Sequence, residues 1–138
     1  MNCPFCNINK DKTRIIKEGK HTFVIFSNPR LMEGHLLVIP KKHVVKISEL
    51  NEEEKKELFD TVIEFQEKIL EKISSGCDIR QNCRPFQPQD NLKLDHLYIH
   101  LLPREFKDGL YKDCQIYEKG IFKDLTAEEV GRISKLLG

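Results

Sequence analysis

A row of ring-bearing side chains marks the segment from Asp95 to Arg104. Its sequence, DHLYIHLLPR, alternates polar rings with aliphatic residues. Such alternation predicts a strand, in which successive side chains point to opposite faces. We therefore expect His96, Tyr98 and His100 on one face, with the intervening aliphatic residues in the core. A row of imidazole and phenol groups can move protons or attack an electrophile.

A second reactive group is the C-x-x-C pair formed by Cys3 and Cys6. By itself this spacing allows a zinc half-site, a redox pair or a coincidence. The local sequence CPFC also resembles a glutaredoxin motif, but that motif follows a strand, whereas this pair begins at residue 3. Structural zinc needs four soft or borderline ligands, commonly two thiolates and two imidazoles. Cys77, Cys83 and Cys114 lack such spacing, and we expect ordinary buried or half-buried thiols there.

Composition predicts one globular, cytoplasmic domain. The chain has 138 residues, of which 39% are hydrophobic, and this suffices for one core. Lys and Arg total 23 and Asp and Glu total 22, so no global field would attract nucleic acid or an anionic membrane. No apolar run reaches the roughly 20 residues that span a bilayer, and the start lacks a secretory signal. The five cysteines would stay reduced or bind metal.

Periodicity and turn residues predict the elements that position these groups. Besides the strand of rings, strands are expected over residues 15–19, 21–27, 35–39 and 78–82. A long helix is expected from Asn51 to Ser74, with Asn51 as its N-cap. Its apolar face comprises Leu58, Val62, Phe65, Ile69 and Ile73. Thr126 and Glu129 predict a short C-terminal helix. This order favours an α+β domain with a mainly antiparallel sheet and no interdomain linker.

Three segments together resemble the histidine triad (HIT) superfamily of nucleotide hydrolases and transferases. They are Cys3–Cys6, Gly34–His43 and His96–Arg104. With the helix between them they cover nearly the whole chain, so the resemblance implies a single HIT domain over residues 1–138. Members cleave a nucleotide at its α-phosphorus by attack of the central histidine in the signature His-φ-His-φ-His-φ-φ, where φ is apolar. Relatives are commonly homodimers joined through the long helix and a sheet edge.

Tyr98 occupies the central position of that signature. An imidazole has a reference pKa of about 6.5, so it is a neutral nucleophile near pH 7 and a good leaving group once phosphorylated. A phenol has a reference pKa of about 10 and is almost wholly protonated there. A tyrosyl phosphodiester would also resist hydrolysis. We therefore expect hydrolysis by the family mechanism to be abolished or severely reduced, which leaves a different nucleophile or direct attack by water.

The resemblance also implies a metal site and a phosphate contact. Zinc-bearing members use the cysteine pair, the histidine after the Pro-x-x step and the first triad histidine. Carried over, these are Cys3, Cys6, His43 and His96, which would hold structural Zn²⁺ and fix the N-terminal segment against the sheet. His100, the third triad member, would donate a hydrogen bond to the phosphate.

The rest of the predicted pocket is less specified. Many relatives have a Gly-Gln-Ser/Thr step before the triad, where this chain has the sequence NLKLD over residues 91–95. Other phosphate ligands are therefore needed, with Asn82 first, then Gln81 and Arg84. Ribose contacts or a simple turn are equally expected at Ser27 and Asn28. His35 could line the cleft, although a structural role at the strand start is favoured, and Phe23 and Phe26 are expected in the core rather than beside a base.

Three functional hypotheses follow. The first is a zinc-containing HIT domain that binds a nucleoside phosphate, such as a dinucleoside polyphosphate or a nucleoside phosphoramidate, with hydrolysis compromised by Tyr98. The second is a non-catalytic nucleotide-binding or protein-interaction module. The third is a thiol redox protein that uses Cys3 and Cys6, which predicts a reversible disulfide and no stoichiometric zinc.

Overall fold

An antiparallel sheet of five strands carries the candidate site. A computed structural model describes residues 3–8, 15–90 and 92–138. The chain divides into two units, residues 1–106 and 107–138, of which the first holds the sheet and a long helix and the second is helical. The predicted α+β class is confirmed. Within the described residues, no helix combines the length and the apolar character that a bilayer crossing requires.

The sheet has the strand order β1-β2-β3-β5-β4, and all neighbouring strands pair antiparallel. The strands are β1 (Ile15–Glu18), β2 (Thr22–Phe26), β3 (Leu36–Pro40), β4 (Gly76–Arg80) and β5 (Ile99–Arg104). The first three strands agree closely with the prediction. β4 begins and ends two residues before the predicted span because its pairing with β5 stops where Arg80 meets His100, next to the first residue of β5.

The strand of rings is shorter than predicted, because β5 begins only at Ile99. Val38 pairs with Ile99, and continuing this register would set Pro40 opposite Leu97. Proline has no backbone N–H to donate. The N–H of Leu97 instead donates to the Val44 carbonyl oxygen at 2.6 Å. The alternation nevertheless continues, since Leu97, like Ile99, packs in the core on the helix side.

The long helix α1 (Glu52–Lys72) covers one face of the sheet. Asn51 caps it as predicted: the N–H of Glu54 donates to the Asn51 side chain at 2.9 Å, and the Asn51 N–H donates to the Glu54 carboxylate at 2.8 Å. The predicted apolar face is buried at Leu58, Val62, Phe65 and Ile69. Ile73 was predicted with them but is 57% exposed, because the helix ends before it.

The sheet separates two apolar layers. The layer under α1 joins the helix face to alternate strand residues, among them Val24, Val38 and Leu101. The opposite layer contains Phe23, Ile25, Leu37 and Ile39, with Phe5, Ile8, Ile15 and Tyr98 packed against it. β3 contributes to both layers, which explains why its sequence is continuously apolar. The rings of the triad segment therefore lie on the face away from α1.

The second unit consists of consecutive helical turns and a terminal helix. A π-helical turn (Tyr111–Gln115), a helix α2 (Ile116–Glu118) and a 3-10 turn (Lys119–Ile121) precede α3 (Ala127–Leu137). The predicted capping box of α3 is present, with the Glu129 N–H donating to the Thr126 hydroxyl at 3.2 Å. The turns before α3 had no sequence prediction.

Two of the remaining cysteines were predicted incorrectly. Cys83 and Cys114 are exposed, whereas Cys77 is partly buried, as expected. Cys83 follows β4 in a loop and Cys114 lies on an exposed helical turn, so neither is covered by an apolar layer. All five thiols are free.

Candidate functional site

A chain of ring contacts runs along the open face of the sheet. Tyr98 and His100 have ring centroids 5.1 Å apart, and His100 and His35 are also 5.1 Å apart. In the other direction, Phe5 contacts Tyr98 at 5.5 Å and His96 at 5.6 Å. The predicted row of rings is therefore present, but Phe5 inserts between its first two members.

His100 is held by His35. The N–H of Leu31 donates to Nδ1 of His35 at 3.1 Å, so the His35 proton belongs on Nε2. His35 Nε2 lies 2.8 Å from Nδ1 of His100 and donates to it. A neutral His100 then carries its own proton on Nε2, which makes that atom a hydrogen-bond donor. His35 was predicted as a cleft residue or a strand-start residue, and the structure makes it the partner of His100.

Burial keeps both imidazoles neutral. It lowers the pKa of His100 to about 4, with the positive charge of Arg80 as the second cause. Burial likewise lowers the pKa of His35 to about 4, assisted by His100 and then by Arg80. Arg80 pairs directly with His100 across β4 and β5. The neutral forms fit the chain of donors from Leu31 through His35 to His100.

These rings line a cavity of about 980 Å³ in the first unit. Three arginines, Arg30, Arg80 and Arg84, also line it, and no ion pair engages them among the residues that the structure describes. The lining acid, Asp90, accepts the N–H groups of Leu92 and Lys93. The cavity wall therefore offers positive charge and hydrogen-bond donors, which suit an anionic ligand.

The other predicted pocket residues also reach this cavity. It is lined by Ser27, Asn28, Gln81, Asn82 and Arg84, together with His35, Tyr98 and His100. The Ser27 hydroxyl donates to the Pro29 carbonyl oxygen at 2.8 Å, the contact expected of a turn residue. The Gln81 amide donates to the Asn82 carbonyl oxygen at 3.1 Å. Phe23 is buried in the core as expected, whereas Phe26 is 41% exposed and lines the cavity.

The segment before the triad forms a loop beside Tyr98. In residues 91–95 the sequence NLKLD replaces the Gly-Gln-Ser/Thr step of many relatives. Asn91, the first of these residues, lies outside the described part of the chain. The N–H of Asp90 donates to the Lys93 carbonyl oxygen at 2.9 Å, and Lys93 forms an ion pair with Asp95. The Tyr98 hydroxyl donates to the Leu92 carbonyl oxygen at 3.4 Å. Leu92, Lys93 and Leu94 all line the cavity.

Four predicted metal ligands converge next to the rings. Cys3, Cys6, His43 and His96 each offer one ligand atom, and these atoms all lie within 4.8 Å of one another. The closest separations are 3.1 Å between Cys6 Sγ and His43 Nδ1, 3.2 Å between the two Nδ1 atoms, and 3.3 Å between Cys3 Sγ and His96 Nδ1. Cys3 and His96 are 5% and 2% exposed.

The donor set fits a tetrahedral zinc ion. With Zn–N bonds of about 2.0–2.1 Å and Zn–S bonds of about 2.3 Å, the edges of the tetrahedron measure roughly 3.3–3.8 Å. The three shortest separations, 3.1–3.3 Å, lie at or just below this range, and no pair of ligand atoms is more than 4.8 Å apart. The orientation of His96 also fits, since its Nε2–H donates to the Pro40 carbonyl oxygen at 2.8 Å. That bond leaves the lone pair on Nδ1, which faces the two thiols, as a metal ligand requires.

Sequence reasoning missed two features of the site. Phe5 lines the cavity together with Pro4, whereas the sequence pattern assigns Phe5 no role beyond its position in the CPFC motif. Its place between two predicted ligands was the available signal. The second feature is the Pro40 carbonyl oxygen that holds His96. It could not be predicted from the sequence, because every residue has a backbone carbonyl.

The sequence of this chain is similar to those of known HIT proteins. A family model described as HIT domain matches residues 8–107. An uncharacterised HIT-like protein from Methanocaldococcus jannaschii is 28% identical over 132 residues, which cover 93% of this chain and 95% of that protein. An adenosine 5′-monophosphoramidase from Saccharomyces cerevisiae is 27% identical over 112 residues, which cover 78% of this chain and 66% of that protein.

Solved structures of HIT family proteins share this fold. A HIT family protein from Bacillus subtilis superposes with a TM-score of 0.75 at 23% identity, covering 99% of this chain and 95% of that one. A zinc-bound histidine triad family protein from Mycobacterium smegmatis superposes with a TM-score of 0.66 at 25% identity, covering 96% and 89%. The family model matches most of the length of this chain, and the chain therefore belongs to the HIT domain family.

Proposed function

We propose that this chain is a zinc-containing HIT protein that binds nucleoside phosphates and whose hydrolytic activity at the α-phosphate is impaired by Tyr98. The ligand class is a dinucleoside polyphosphate or a nucleoside phosphoramidate. The similar protein from Saccharomyces cerevisiae, an adenosine 5′-monophosphoramidase, supports the phosphoramidate branch of this class.

The observation that carries the proposal is the contact between Tyr98 and His100 inside a cationic cavity. Their ring centroids are 5.1 Å apart, and both line the cavity with Arg80. His100 Nε2–H can donate to a phosphate oxygen, and the guanidinium groups can balance its charge. The residue at the position of attack is a phenol, which is a poorer nucleophile than the imidazole of the family signature. Such a site is suited to bind a nucleotide and poorly suited to cleave it.

Zinc binding is supported by the convergence of Cys3, Cys6, His43 and His96, whose ligand atoms all lie within 4.8 Å of one another. Zinc would supply no chemistry to the ligand here; it would hold the N-terminal segment and His96 in place. Free thiols near each other persist best in a reducing compartment, which supports a cytoplasmic location. Metal analysis of protein purified without added zinc separates this proposal from a thiol redox function, for which no metal is expected.

A homodimer is supported by exposed apolar residues on α1 and on the edge strand. Phe59, Ile63 and Leu70 follow helical spacing on the side of α1 away from the core, with exposed fractions of 42%, 57% and 40%. Ile79 on the edge strand β4 is 48% exposed. An Ile63→Glu variant is expected to be monomeric in sedimentation analysis where the unmodified chain is dimeric. A monomeric unmodified chain would contradict this part of the proposal.

The decisive experiment restores the missing imidazole. The Tyr98→His variant is expected to release AMP from adenosine 5′-monophosphoramidate or diadenosine tetraphosphate at a rate at least about 10³-fold above the unmodified chain. Tyr98→Phe is the matched control, because it changes the same side chain without adding a nucleophile. Both variants and the unmodified chain are expected to bind AMP in calorimetric titration. Absence of AMP binding to all three would contradict the proposal.

The second candidate function is a non-catalytic nucleotide-binding or protein-interaction module. The presence of a phenol where the family has its nucleophile favours it. The two candidates differ in the Tyr98→His variant: a module whose pocket no longer aligns a phosphate for attack gains no turnover, although it still binds AMP.

A further inference from the structure

The loop between the two predicted zinc cysteines also forms part of the cavity wall. Pro4 and Phe5 lie between Cys3 and Cys6 in sequence, and both line the cavity. The loop is a tight turn in which the N–H groups of Cys6 and Asn7 donate to the Cys3 carbonyl oxygen at 3.1 and 3.3 Å. A displacement of either thiol therefore moves the residues that face the ligand.

Phe5 connects the metal cluster to the triad rings. Its ring meets His96 edge-on at 5.6 Å, with 89° between the planes, and meets Tyr98 at 5.5 Å. His96 in turn contacts His43 at 5.0 Å, and Tyr98 contacts His100 at 5.1 Å. Rings thus form an unbroken series from a metal ligand to the proposed phosphate donor, and Phe5 is its middle member.

This loop contacts the rest of the first unit through its two cysteines and through Phe5 and Ile8. Within the described residues, both backbone hydrogen bonds of segment 3–8 are internal to it. The remaining attachments are the sulfur contacts with His43 and His96 and the packing of Phe5 and Ile8 on the open face of the sheet. Fixing the backbone of a residue costs conformational entropy. A metal ion that orders the loop removes part of this cost from ligand binding.

We propose that Phe5 couples zinc binding at Cys3, Cys6, His43 and His96 to ligand binding in the cavity, so that each increases the affinity for the other. This inference rests on the proposed zinc and nucleotide sites. It assigns Phe5 a positioning role: its ring holds the cavity wall in the shape that the zinc-bound loop dictates.

The test is a thermodynamic cycle with AMP as the probe. AMP affinity is measured by calorimetry on zinc-loaded and metal-free protein, and zinc affinity is measured by chelator competition with and without saturating AMP. Coupling free energies between sites typically correspond to about 5- to 150-fold changes. We expect metal removal to weaken AMP binding at least about 5-fold, and saturating AMP to strengthen zinc binding by the same factor, because linkage is reciprocal.

Variants of Phe5 separate coupling from simple wall contact. Phe5→Ala is expected to retain one zinc per chain and to lose the coupling, so that AMP affinity becomes equal with and without zinc. Phe5→Leu keeps an apolar side chain in the cavity wall and is expected to retain part of the coupling between zinc and AMP. Phe122→Ala, in the second unit, is the aromatic control and is expected to keep the full coupling. If metal-free protein unfolds, AMP strengthens zinc binding through folding itself, so the comparison of the unmodified chain with Phe5→Ala carries the test. An equal effect of AMP on the zinc affinity of both then overturns the role of Phe5.

The outcomes distinguish this inference from the proposed function. Stoichiometric zinc and measurable AMP binding that are independent of each other overturn the coupling and leave the proposed function intact. Coupling that persists in Phe5→Ala overturns the role of Phe5. Failure to bind zinc or AMP at all overturns the proposed function and this inference with it.

Discussion

Nε2 of His35 lies 2.8 Å from Nδ1 of His100, and this hydrogen bond decides how His100 can meet a ligand. Because the Leu31 N–H occupies Nδ1 of His35, the proton between the two rings belongs to His35. His100 is therefore fixed as an acceptor toward His35 and a donor at Nε2. A phosphate oxygen is the complementary group for that donor.

Replacement of His35 tests this arrangement. His35→Leu removes the donor to His100 and is expected to weaken AMP binding about 10-fold, the equivalent of one hydrogen bond of about 1.4 kcal/mol. His35→Gln keeps an N–H donor at a similar reach and is expected to retain most of the affinity. Calorimetric titration measures both. Equal weakening in the two variants would indicate a packing role for His35 and would contradict the orienting role.

The depressed pKa values of His35 and His100 predict a loss of stability in mild acid. The folded state keeps both rings neutral down to a pKa of about 4, whereas unfolded histidine takes up a proton near pH 6.5. The free energy of unfolding therefore falls as the pH decreases from about 6.5 toward about 4. Between pH 7 and 5 we expect a decrease of about 2 kcal/mol for each of the two histidines, measured by urea unfolding. A flatter profile is expected for the His35→Gln, His100→Gln double variant, and an unchanged profile would contradict the assignment.

Removal of one predicted metal ligand tests the zinc site. Cys3 is 5% exposed in the cluster, so Cys3→Ser is expected to lose zinc and to unfold at a lower temperature. Elemental analysis and calorimetry measure the two effects. Cys83→Ser is the matched control, because this thiol is exposed and lies outside the cluster. One zinc ion per chain in both variants would show that Cys3 is not a ligand.

Gly34 sets the backbone that leads into His35. Its φ is +84°, a conformation that favours glycine, and an added Cβ would lie 3.1 Å from Cγ of Pro103. Gly34→Ala is expected to lower the free energy of unfolding by about 1–3 kcal/mol. Gly76→Ala is the control in the same unit, because a Cβ there meets its neighbours at 3.4 Å or more. A smaller loss for Gly34→Ala than for Gly76→Ala in urea unfolding would contradict the prediction.

Local sequence patterns determined most of the fold. The alternation in residues 96–101 placed aliphatic side chains on the helix side, and the apolar run of β3 indicated a strand buried on both faces. Asn51 and Thr126 predicted the starts of two helices, because a capping box depends on residues only three positions apart. The resemblance, rather than any local pattern, supplied the choice of Cys3, Cys6, His43 and His96.

Only the tertiary structure decided how the reactive groups are joined. The late start of β5, the bond from His96 to the Pro40 carbonyl oxygen and the bond from His35 to His100 all depend on pairings between strands. Phe5 enters the ring series because a loop from the N-terminal segment packs on the open face of the sheet. Contacts between residues distant in sequence leave no periodic trace in the chain, so they become visible only once the strands are assembled.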